Sequence, residues 1–261
     1  MHAIQIPAIT CRQAHLIWYL PGMNSTLPFR AAAVLKGAGL FFALVALLFS
    51  GQVASREISK ASLPVVNKAA HGPNLASAGA IAAVRQVASW VTATGDNAGM
   101  SFVIVDKQQA RVFVFHPTGQ LSGVTPALMG SAKGDDSVPG IGERQMSAIL
   151  PHERTTPAGR FESSPGVNMS GEDIVWVDYE AAVSMHRVRT NNKKERRLER
   201  LASATPADNR ISFGCINLPA AFYNTVLKPA LGASPGVIYV LPETRSLQSV
   251  FGALVPAFRP L

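Results

Sequence analysis

Short runs of apolar, β-branched and aromatic residues are the feature that most limits how this 261-residue chain can fold. Residues 101–106 and 110–116 are two such runs, joined by a short polar connection. The pattern predicts a β-hairpin, because strands favour these residue types and polar residues favour the turn. Residues 173–177 and 181–188 predict a second strand pair, and residues 236–242 predict a last strand. We therefore expect a domain built mainly of β-strands.

A segment rich in glycine, proline and serine, residues 130–172, lies between the two predicted strand pairs. Long loops of this composition on a β scaffold commonly build or cover a binding site. We therefore expect a long loop beside a functional site.

The overall composition is that of a globular protein, with 48% hydrophobic and 15% charged residues. This balance excludes a disordered chain, which has too few apolar residues to bury a core. The formal net charge of +8 favours a polyanionic neighbour, which leaves nucleic acid, anionic lipid and an acidic cell-wall polymer open.

The N-terminal segment has the parts of a secretory signal. Arg30 and Lys36 precede an apolar run that extends from Gly37 to about Ala54. Gln52 disfavours cleavage at Ala54, and the run is nearly long enough to span a bilayer. We therefore expect an exported protein of the periplasm or cell envelope, with a cleaved signal peptide and an uncleaved inner-membrane anchor as the two open alternatives.

Export makes the cysteine of residues 209–219 (NRISFGCINLP) unusual. Cys11 precedes the apolar run, so cleavage or the membrane would separate it from Cys215 and leave Cys215 without a disulfide partner. The sequence after it predicts a helix that begins at Pro219 and ends at Lys228, which would place the thiol at a helix N-terminus and favour its thiolate. Backbone N–H groups around Gly214 and Cys215 could then form an oxyanion hole. A reactive nucleophile and a buried, inert cysteine remain the two interpretations.

Four segments, taken in order, resemble the landmarks of the L,D-transpeptidase (YkuD-type) catalytic domain. They are paired opening strands at 101–115, a Thr-Pro-x-Gly-x-Phe segment at 155–161, a strand histidine within 184–188, and a Ser-x-Gly-Cys-hydrophobic-Asn signature at 212–217. The resemblance covers roughly residues 100–243. It implies an α+β, mostly β fold: an L,D-transpeptidase-like β-sandwich with a short helix after the catalytic cysteine.

Carried over residue by residue, the resemblance implies four catalytic positions. Cys215 would be the nucleophile, His186 its base, and Ser212 and Gly214 the supporting turn. His152, in the glycine-rich segment, is an alternative base, and a structural histidine at a strand end is the alternative for His186.

The chain departs from the family pattern in two places. Phe213 stands where the family signature has histidine, and the interval between the strand histidine and the cysteine is longer than usual. The basic insertion, residues 187–209, carries Leu198 and Leu201 at helical spacing, and we expect a solvated helix that lies over the site as a lid. We do not expect a nucleic-acid partner, because no aromatic residues for base stacking interleave with the cations.

Substrate-binding candidates flank the cysteine. Asn209 and Arg210 precede it closely enough to bind a substrate carboxylate, with loop solubility as the alternative. Asn217 matches the polar family position after the hydrophobic residue and could also cap the following helix. Phe213 is included with them because it neighbours the predicted site.

The signal-like segment, the composition and the resemblance together predict four parts of the chain. Residues 1–55 form an extension with the signal or anchor, and residues 56–98 form a linker with a short helix. Residues 99–244 form the L,D-transpeptidase-like catalytic domain, and residues 245–261 form a tail.

The function implied is a cysteine-dependent L,D-transpeptidase that crosslinks peptidoglycan stem peptides through a thioester. An L,D-carboxypeptidase of the same stems and a non-catalytic wall-binding module are the alternatives. An envelope protein is a further possible acceptor. The sequence has no complete zinc-protease, dinucleotide or phosphate-loop motif, so we expect neither a metal nor an organic cofactor.

Overall fold

The computed structural model describes residues 75–252. The predicted signal or anchor in residues 1–55 lies outside the described residues, as do residues 56–74 of the predicted linker and residues 253–261 of the predicted tail. Among residues 75–252, no helix is both long enough and apolar enough to cross a membrane.

The described residues form a mostly β fold with a few short helices. Eight strands make one sheet in the order β3-β2-β1-β10-β5-β6-β7-β9, and β4 and β8 pair separately. The strands are β1 (Phe102–Asp106), β2 (Arg111–Phe115), β3 (Leu121–Pro126), β4 (Met129–Gly130), β5 (Gly159–Val167), β6 (Asp173–Asp178), β7 (Val183–Arg187), β8 (Arg210–Ser212), β9 (Ile216–Leu218) and β10 (Gly236–Val240). The α-helices are α1 (Ala82–Thr94), α2 (Arg197–Ala202), α3 (Ala220–Phe222), α4 (Lys228–Leu231) and α5 (Leu247–Phe251).

The predicted strand pairs are confirmed. β1 and β2 form an antiparallel hairpin, and β6 and β7 form a second antiparallel pair. The predicted last strand, β10, lies inside the sheet, where it pairs in parallel with β1 and antiparallel with β5. The final strand thus joins the first hairpin to the rest of the sheet.

β5 lies inside the segment that the sequence predicts as a loop. Its first half, Gly159–Ser163, pairs with β10, and its second half, Ser164–Val167, pairs with β6. Pro165 falls in the second half, where β5 has a neighbour on one side only among the described strands, β6. A residue without an N–H is tolerated there, because the other side of the strand has no ladder to interrupt. The sequence does not predict this strand, because it contains small residues and a proline instead of the β-branched residues that favour strands.

Two apolar clusters lie on opposite faces of β1, β2 and β10. Val103 and Val105 of β1 belong to one cluster, with residues of β6, β7, β9 and the helical segment from α3 to α4. Phe102 and Ile104 of the same strand belong to the other, with residues of α1 and α5. Because both faces are covered, these strands are continuously apolar and do not alternate with polar residues.

α1 packs on the sheet, although the sequence places it in a linker. Its valines Val84, Val87 and Val91 are fully buried against the outer face of β1, β2 and β10. Phe251 of α5, in the predicted tail, is buried in the same cluster. The folded unit therefore begins upstream of residue 99 and includes α5.

The helix after the cysteine is longer than predicted. It begins with α3, continues through a π turn (Tyr223–Leu227) and ends with α4, so it passes Pro229 instead of ending at Lys228. The π turn ends at Leu227, two residues before Pro229, and it shifts the hydrogen-bond ladder near the point where proline has no N–H to donate.

The sheet is nearly closed. β9 forms one edge, and Asn217 within it exchanges backbone hydrogen bonds with Leu128, which follows β3 at the other edge. The α+β, mostly β prediction agrees with this architecture. The sandwich arrangement remains a prediction.

Candidate active site

β7 and the start of β9 bring a cysteine, a histidine and a serine together. Ser184 and His186 are two residues apart on β7, so both side chains lie on the same face of that strand. Cys215 directly precedes β9, which pairs in parallel with β7. The half-buried Cys215 Sγ lies 3.7 Å from Ser184 Oγ and 3.6 Å from the carbonyl oxygen of Ala182.

The His186 ring is oriented for proton transfer with the thiol. Its Nδ1 lies 2.7 Å from the carbonyl oxygen of Arg187, and a carbonyl only accepts hydrogen bonds, so Nδ1 is the nitrogen that carries the hydrogen. The ring shares the cleft with Cys215 and lowers the pKa of its thiol, and Nε2 is the ring nitrogen that remains for this interaction. The three groups therefore have the geometry of a nucleophile, a base and a group that orients the base.

The surroundings of Cys215 favour its thiolate. Burial raises the pKa of the thiol, but a hydrogen bond from His186, the positive charge of that ring, and hydrogen bonds from the backbone and hydroxyl of Ser184 outweigh it. The pKa of Cys215 therefore lies below its ordinary value. A lower pKa raises the fraction of Cys215 present as thiolate, and the thiolate is the form that nucleophilic attack needs.

The sequence predicts that the N-terminus of a helix stabilises the Cys215 thiolate, but in the structure no helix begins at the cysteine. β9 lies between Cys215 and α3, which begins at Ala220. The field of a helix dipole is confined to its first turn, so it does not reach the sulfur. His186 and Ser184 provide the stabilisation instead.

This geometry makes the thiol pKa dependent on the histidine. We expect the rate of Cys215 alkylation by iodoacetamide to reach its half-maximum at a pH below that of an ordinary cysteine, because the depressed pKa keeps thiolate present at lower pH. In His186→Gln, the charge of the ring is lost and the half-maximum moves to higher pH. Stopped alkylation followed by intact-protein mass spectrometry measures both profiles. Coincident profiles for the two proteins would contradict the assigned pair.

The turn before the cysteine is fixed by side-chain hydrogen bonds. Ser212 Oγ donates to the carbonyl oxygen of Cys215 at 2.6 Å and accepts from the N–H of Gly214 at 3.1 Å. The Thr156 hydroxyl donates to the carbonyl oxygen of Gly214 at 2.7 Å. These contacts hold the peptide plane between Gly214 and Cys215.

One backbone donor remains for an oxyanion. The oxyanion hole predicted from the sequence needs a free N–H on Gly214. In the structure this N–H donates to Ser212 Oγ and is therefore not free. For the N–H of Cys215, the described part of the chain provides no acceptor. Because the hydroxyl of Thr156 fixes the carbonyl of the same peptide, this N–H has a defined direction.

Gly214 cannot be replaced without cost. Its φ is +134°, and a Cβ built on it would lie 2.8 Å from the carbonyl oxygen of Thr155. We expect Gly214→Ala to lower the free energy of unfolding by about 1–3 kcal/mol and to reduce any Cys215-dependent activity at least 10-fold. Urea unfolding and product formation measure the two effects.

Gly140→Ala is the matched control, because Gly140 also has a positive φ, +72°, but nothing within 4 Å of a built Cβ. We expect it to retain activity and to lose only about 1 kcal/mol. Equal losses in the two variants would contradict the role of close packing against Thr155.

A cleft of about 290 Å³ opens at the cysteine. Cys215 and His186 lie in it beside the apolar side chains of Met146 and Phe213. The remaining wall comes largely from the basic insertion: Arg189, Asn191, Asn192, Glu195 and Arg197. Met146 belongs to the predicted glycine-rich loop, so both segments that the sequence associates with the site contribute to the cleft.

The insertion contains the predicted helix in a shortened form. α2 has six residues, and Leu201 is buried whereas Leu198 is 57% exposed. Only one of the two leucines is therefore buried, and the role of the helix as a lid remains a prediction.

Phe213 occupies the place of the family histidine and packs against a cation. The guanidinium carbon of Arg154 lies 4.1 Å from the centre of the Phe213 ring, and Arg154 also donates to the carbonyl oxygen of Ile149. The ring therefore has a defined position on the wall of the cleft.

Asn209 and Arg210 do not lie in the cleft. Asn209 is buried and donates to the carbonyl oxygen of Ala127 at 3.1 Å. Arg210 pairs with Glu243 and donates to the carbonyl oxygen of Lys107 at 2.8 Å. Both side chains are used inside the fold, so the predicted contact with a substrate carboxylate is not supported here.

Asn217 lies in the cleft, but it does not cap a helix. Its Oδ1 accepts from Arg197 at 2.6 Å, and its Nδ2 donates to the carbonyl oxygen of Cys215 at 3.2 Å. Asn217 lies within β9, and the helix begins after Pro219 without a side-chain cap. The N-cap interpretation is therefore wrong.

Three residues of the site are absent from the sequence-based prediction. Ser184 was recognisable, because it lies two positions before the candidate base in a predicted strand. Thr156 lies in the Thr-Pro landmark, but nothing in the sequence indicates that its hydroxyl contacts the cysteine turn. Arg197 is one of many cations in the insertion. His116 and His152 are exposed and do not line the cleft.

Across residues 75–252, no group of three or more His, Cys, Asp or Glu side chains is placed to hold a metal ion. Among solved structures, the chain is similar to the catalytic domain of an E. faecium L,D-transpeptidase determined by NMR. The two are 16% identical with a TM-score of 0.32, over 54% of this chain and 96% of that one. No protein-family model and no curated protein matches the chain.

Proposed function

We propose that this protein is a cysteine-dependent acyltransferase of the L,D-transpeptidase type, acting on peptidoglycan stem peptides. The observation that carries the proposal is the pairing of β7 with β9, which places His186 and Cys215 in one cleft, where His186 lowers the pKa of the thiol below its ordinary value. The order of sequence landmarks supports the substrate class and the sandwich form of the domain. The pair favours a catalytic role over a non-catalytic wall-binding module.

In the first step, the thiol proton moves to Nε2 of His186 and the Cys215 sulfur attacks the carbonyl carbon at the L-centre of the diamino acid. The carbonyl π electrons move to oxygen, and the free N–H of Cys215 hydrogen bonds with that oxyanion. When the intermediate collapses, the C–N bond to the terminal D-alanine breaks. The departing amine takes its proton from His186, and the acyl group remains on sulfur as a thioester.

In the second step, an acceptor amine loses a proton to His186 and attacks the thioester carbonyl. The C–S bond breaks and the thiolate is restored, so the net reaction replaces D-alanine by the acceptor. An amine of a neighbouring stem gives a crosslink, and an envelope protein is a further acceptor. Water in the same role gives an L,D-carboxypeptidase.

The proposed location is the cell envelope, because the substrate lies there. Export or anchoring through residues 1–55 would bring the protein to this location. Its net charge of +8 would attract it to an acidic wall polymer. N-terminal sequencing of the protein recovered from cells distinguishes a cleaved signal from an anchor.

Product analysis tests the proposal. The purified protein and Cys215→Ala are incubated with disaccharide-tetrapeptides, and the products are identified by mass spectrometry. We expect crosslinked dimers and free D-alanine from the unmodified protein and neither from the variant. Tripeptide without dimers would assign an L,D-carboxypeptidase. Unchanged tetrapeptide in the presence of folded protein would contradict the proposal and favour a wall-binding module.

A further inference from the structure

The basic insertion places one guanidinium in the cleft beside the nucleophile. Arg197, the first residue of α2, lines the cleft with Cys215, although its side chain is only 15% exposed. Its Nε lies 2.5 Å from Glu195 Oε2, and its Nη1 donates to Asn217 Oδ1 at 2.6 Å. For Nη2, the part of the chain that the structure describes provides no acceptor.

Asn217 connects this guanidinium to the reaction centre. The same amide donates from Nδ2 to the carbonyl oxygen of Cys215 at 3.2 Å, and Asn217 is fully buried. In the parallel pairing of β7 and β9, Asn217 lies opposite His186. The guanidinium is therefore held at a fixed position relative to both the nucleophile and its base.

The charge of the cleft favours an anion. Arg197 and Arg189 line it together with Glu195, the one carboxylate among the lining residues. Arg189 already pairs with Glu172 at an exposed position, 2.9 Å away. A largely buried guanidinium with an unused N–H group binds a carboxylate more strongly than a neutral group, because the hydrogen bond is charge-assisted.

We propose that Arg197 determines specificity by binding a carboxylate of the acyl donor next to the bond that Cys215 attacks. This inference rests on the proposed function and deepens it. Nη2 donates to the carboxylate, while Asn217 and Glu195 hold the other guanidinium nitrogens. Two carboxylates of a tetrapeptide stem have this chemistry: the C-terminal carboxylate of the leaving D-alanine and the side-chain carboxylate of the diamino acid.

The inference is tested by measuring, with calorimetry, how tightly tetrapeptides bind to a protein that cannot turn them over. The background is the full chain carrying Cys215→Ala, with and without Arg197→Gln. The ligands are a tetrapeptide with both carboxylates free, one with a C-terminal carboxamide, and one with a side-chain carboxamide. Arg196→Gln is the matched control, because Arg196 is adjacent, exposed and absent from the cleft lining. Circular dichroism checks that each variant is folded.

We expect Arg197→Gln to weaken binding of the free acid by about 10–100-fold and Arg196→Gln to leave it unchanged. One of the two carboxamides should bind the Arg197 protein as weakly as the variant binds the free acid, and that ligand identifies the carboxylate. A merely structural role of Arg197 would weaken binding of all three peptides equally, and this result would overturn the inference. Equal binding of acid and carboxamides by the Arg197 protein, or no binding of any, would overturn it as well.

Failure of the proposed function has a different signature. In that case the protein with Cys215 intact releases neither D-alanine from the two peptides with a free C-terminus nor D-alaninamide from the C-terminal carboxamide, whatever their binding constants. Acid-selective binding lost in Arg197→Gln would still establish the carboxylate site.

Discussion

Replacing His186 with glutamine is expected to reduce D-alanine release from a tetrapeptide by about 10²–10⁴-fold in kcat/KM. Glutamine can still accept a hydrogen bond, but it neither takes the thiol proton nor carries the positive charge that lowers the pKa of Cys215. It also cannot return a proton to the departing amine. The measurement is a coupled assay of free D-alanine at several pH values.

Two other histidines provide matched controls for this variant. His116 and His152 are exposed and do not line the cleft, so His116→Gln and His152→Gln should retain full activity. Cys215→Ala should release no D-alanine at all, because no acyl group can form on the protein. If His186→Gln retained activity and His152→Gln lost it, the base would be misassigned.

The second large predicted effect is a loss of folding stability, and it depends on a buried ion cluster next to the cysteine turn. Lys107 is 1% exposed, and its Nζ lies 2.7 Å from Asp135 Oδ1, 2.6 Å from the carbonyl oxygen of Gly134 and 2.9 Å from that of Thr156. Three oxygen acceptors match the three hydrogens of an ammonium group. Since the hydroxyl of Thr156 donates to Gly214, the cluster also supports the cysteine turn.

Asp135 is ionised in this cluster. Burial raises the pKa of its carboxyl, but hydrogen bonds from Lys107, from the hydroxyl and N–H of Thr244 and from the N–H of Glu243 outweigh it, and the pKa lies well below its ordinary value. A carboxyl with a depressed pKa in the folded state stabilises the fold above its unfolded pKa and loses that contribution as the pH falls towards the folded value. The contribution of Asp135 to the stability of the fold should therefore be lost in acid.

Lys107→Met is expected to lower the free energy of unfolding by about 3–5 kcal/mol, because it removes the buried cation nearest to the Asp135 carboxylate and leaves it with the more distant Arg245. Urea unfolding followed by circular dichroism measures the change. Lys228→Met is the control, since Lys228 pairs with Asp173 at an exposed position and 3.5 Å. We expect it to cost less than about 1 kcal/mol. A similar loss in both variants would show that the buried cluster has no special role.

The sequence predicts the parts of the fold that depend on local pattern. The hairpin of β1 and β2 has continuous apolar and aromatic runs around a polar turn, and these alone specify it. The histidine and cysteine of the site are recognisable as residue types within such patterns. Their proximity depends on the parallel pairing of β7 with β9 across the insertion, which local pattern does not specify.

Long-range contacts decide the features that the sequence does not predict. Arg210 resembles a free substrate-binding cation in the sequence, but its hydrogen-bond partners Lys107 and Glu243 are 103 and 33 residues away. β5 is a strand because β10 and β6 flank it, despite its proline and small residues. α1 belongs to the domain because the outer face of the sheet provides an apolar surface for its valines.

In the proposed mechanism, the thiol of Cys215 accepts the acyl group of a stem peptide. Intact-protein mass spectrometry after rapid mixing with a tetrapeptide donor and acid quenching tests it directly, because a thioester survives acid. We predict a mass increase equal to the tripeptide acyl group, located on Cys215 by peptide mapping, slower to form in His186→Gln and absent in Cys215→Ala. An unchanged mass for the folded protein, or the same adduct in Cys215→Ala, would contradict the assignment of Cys215 as the nucleophile.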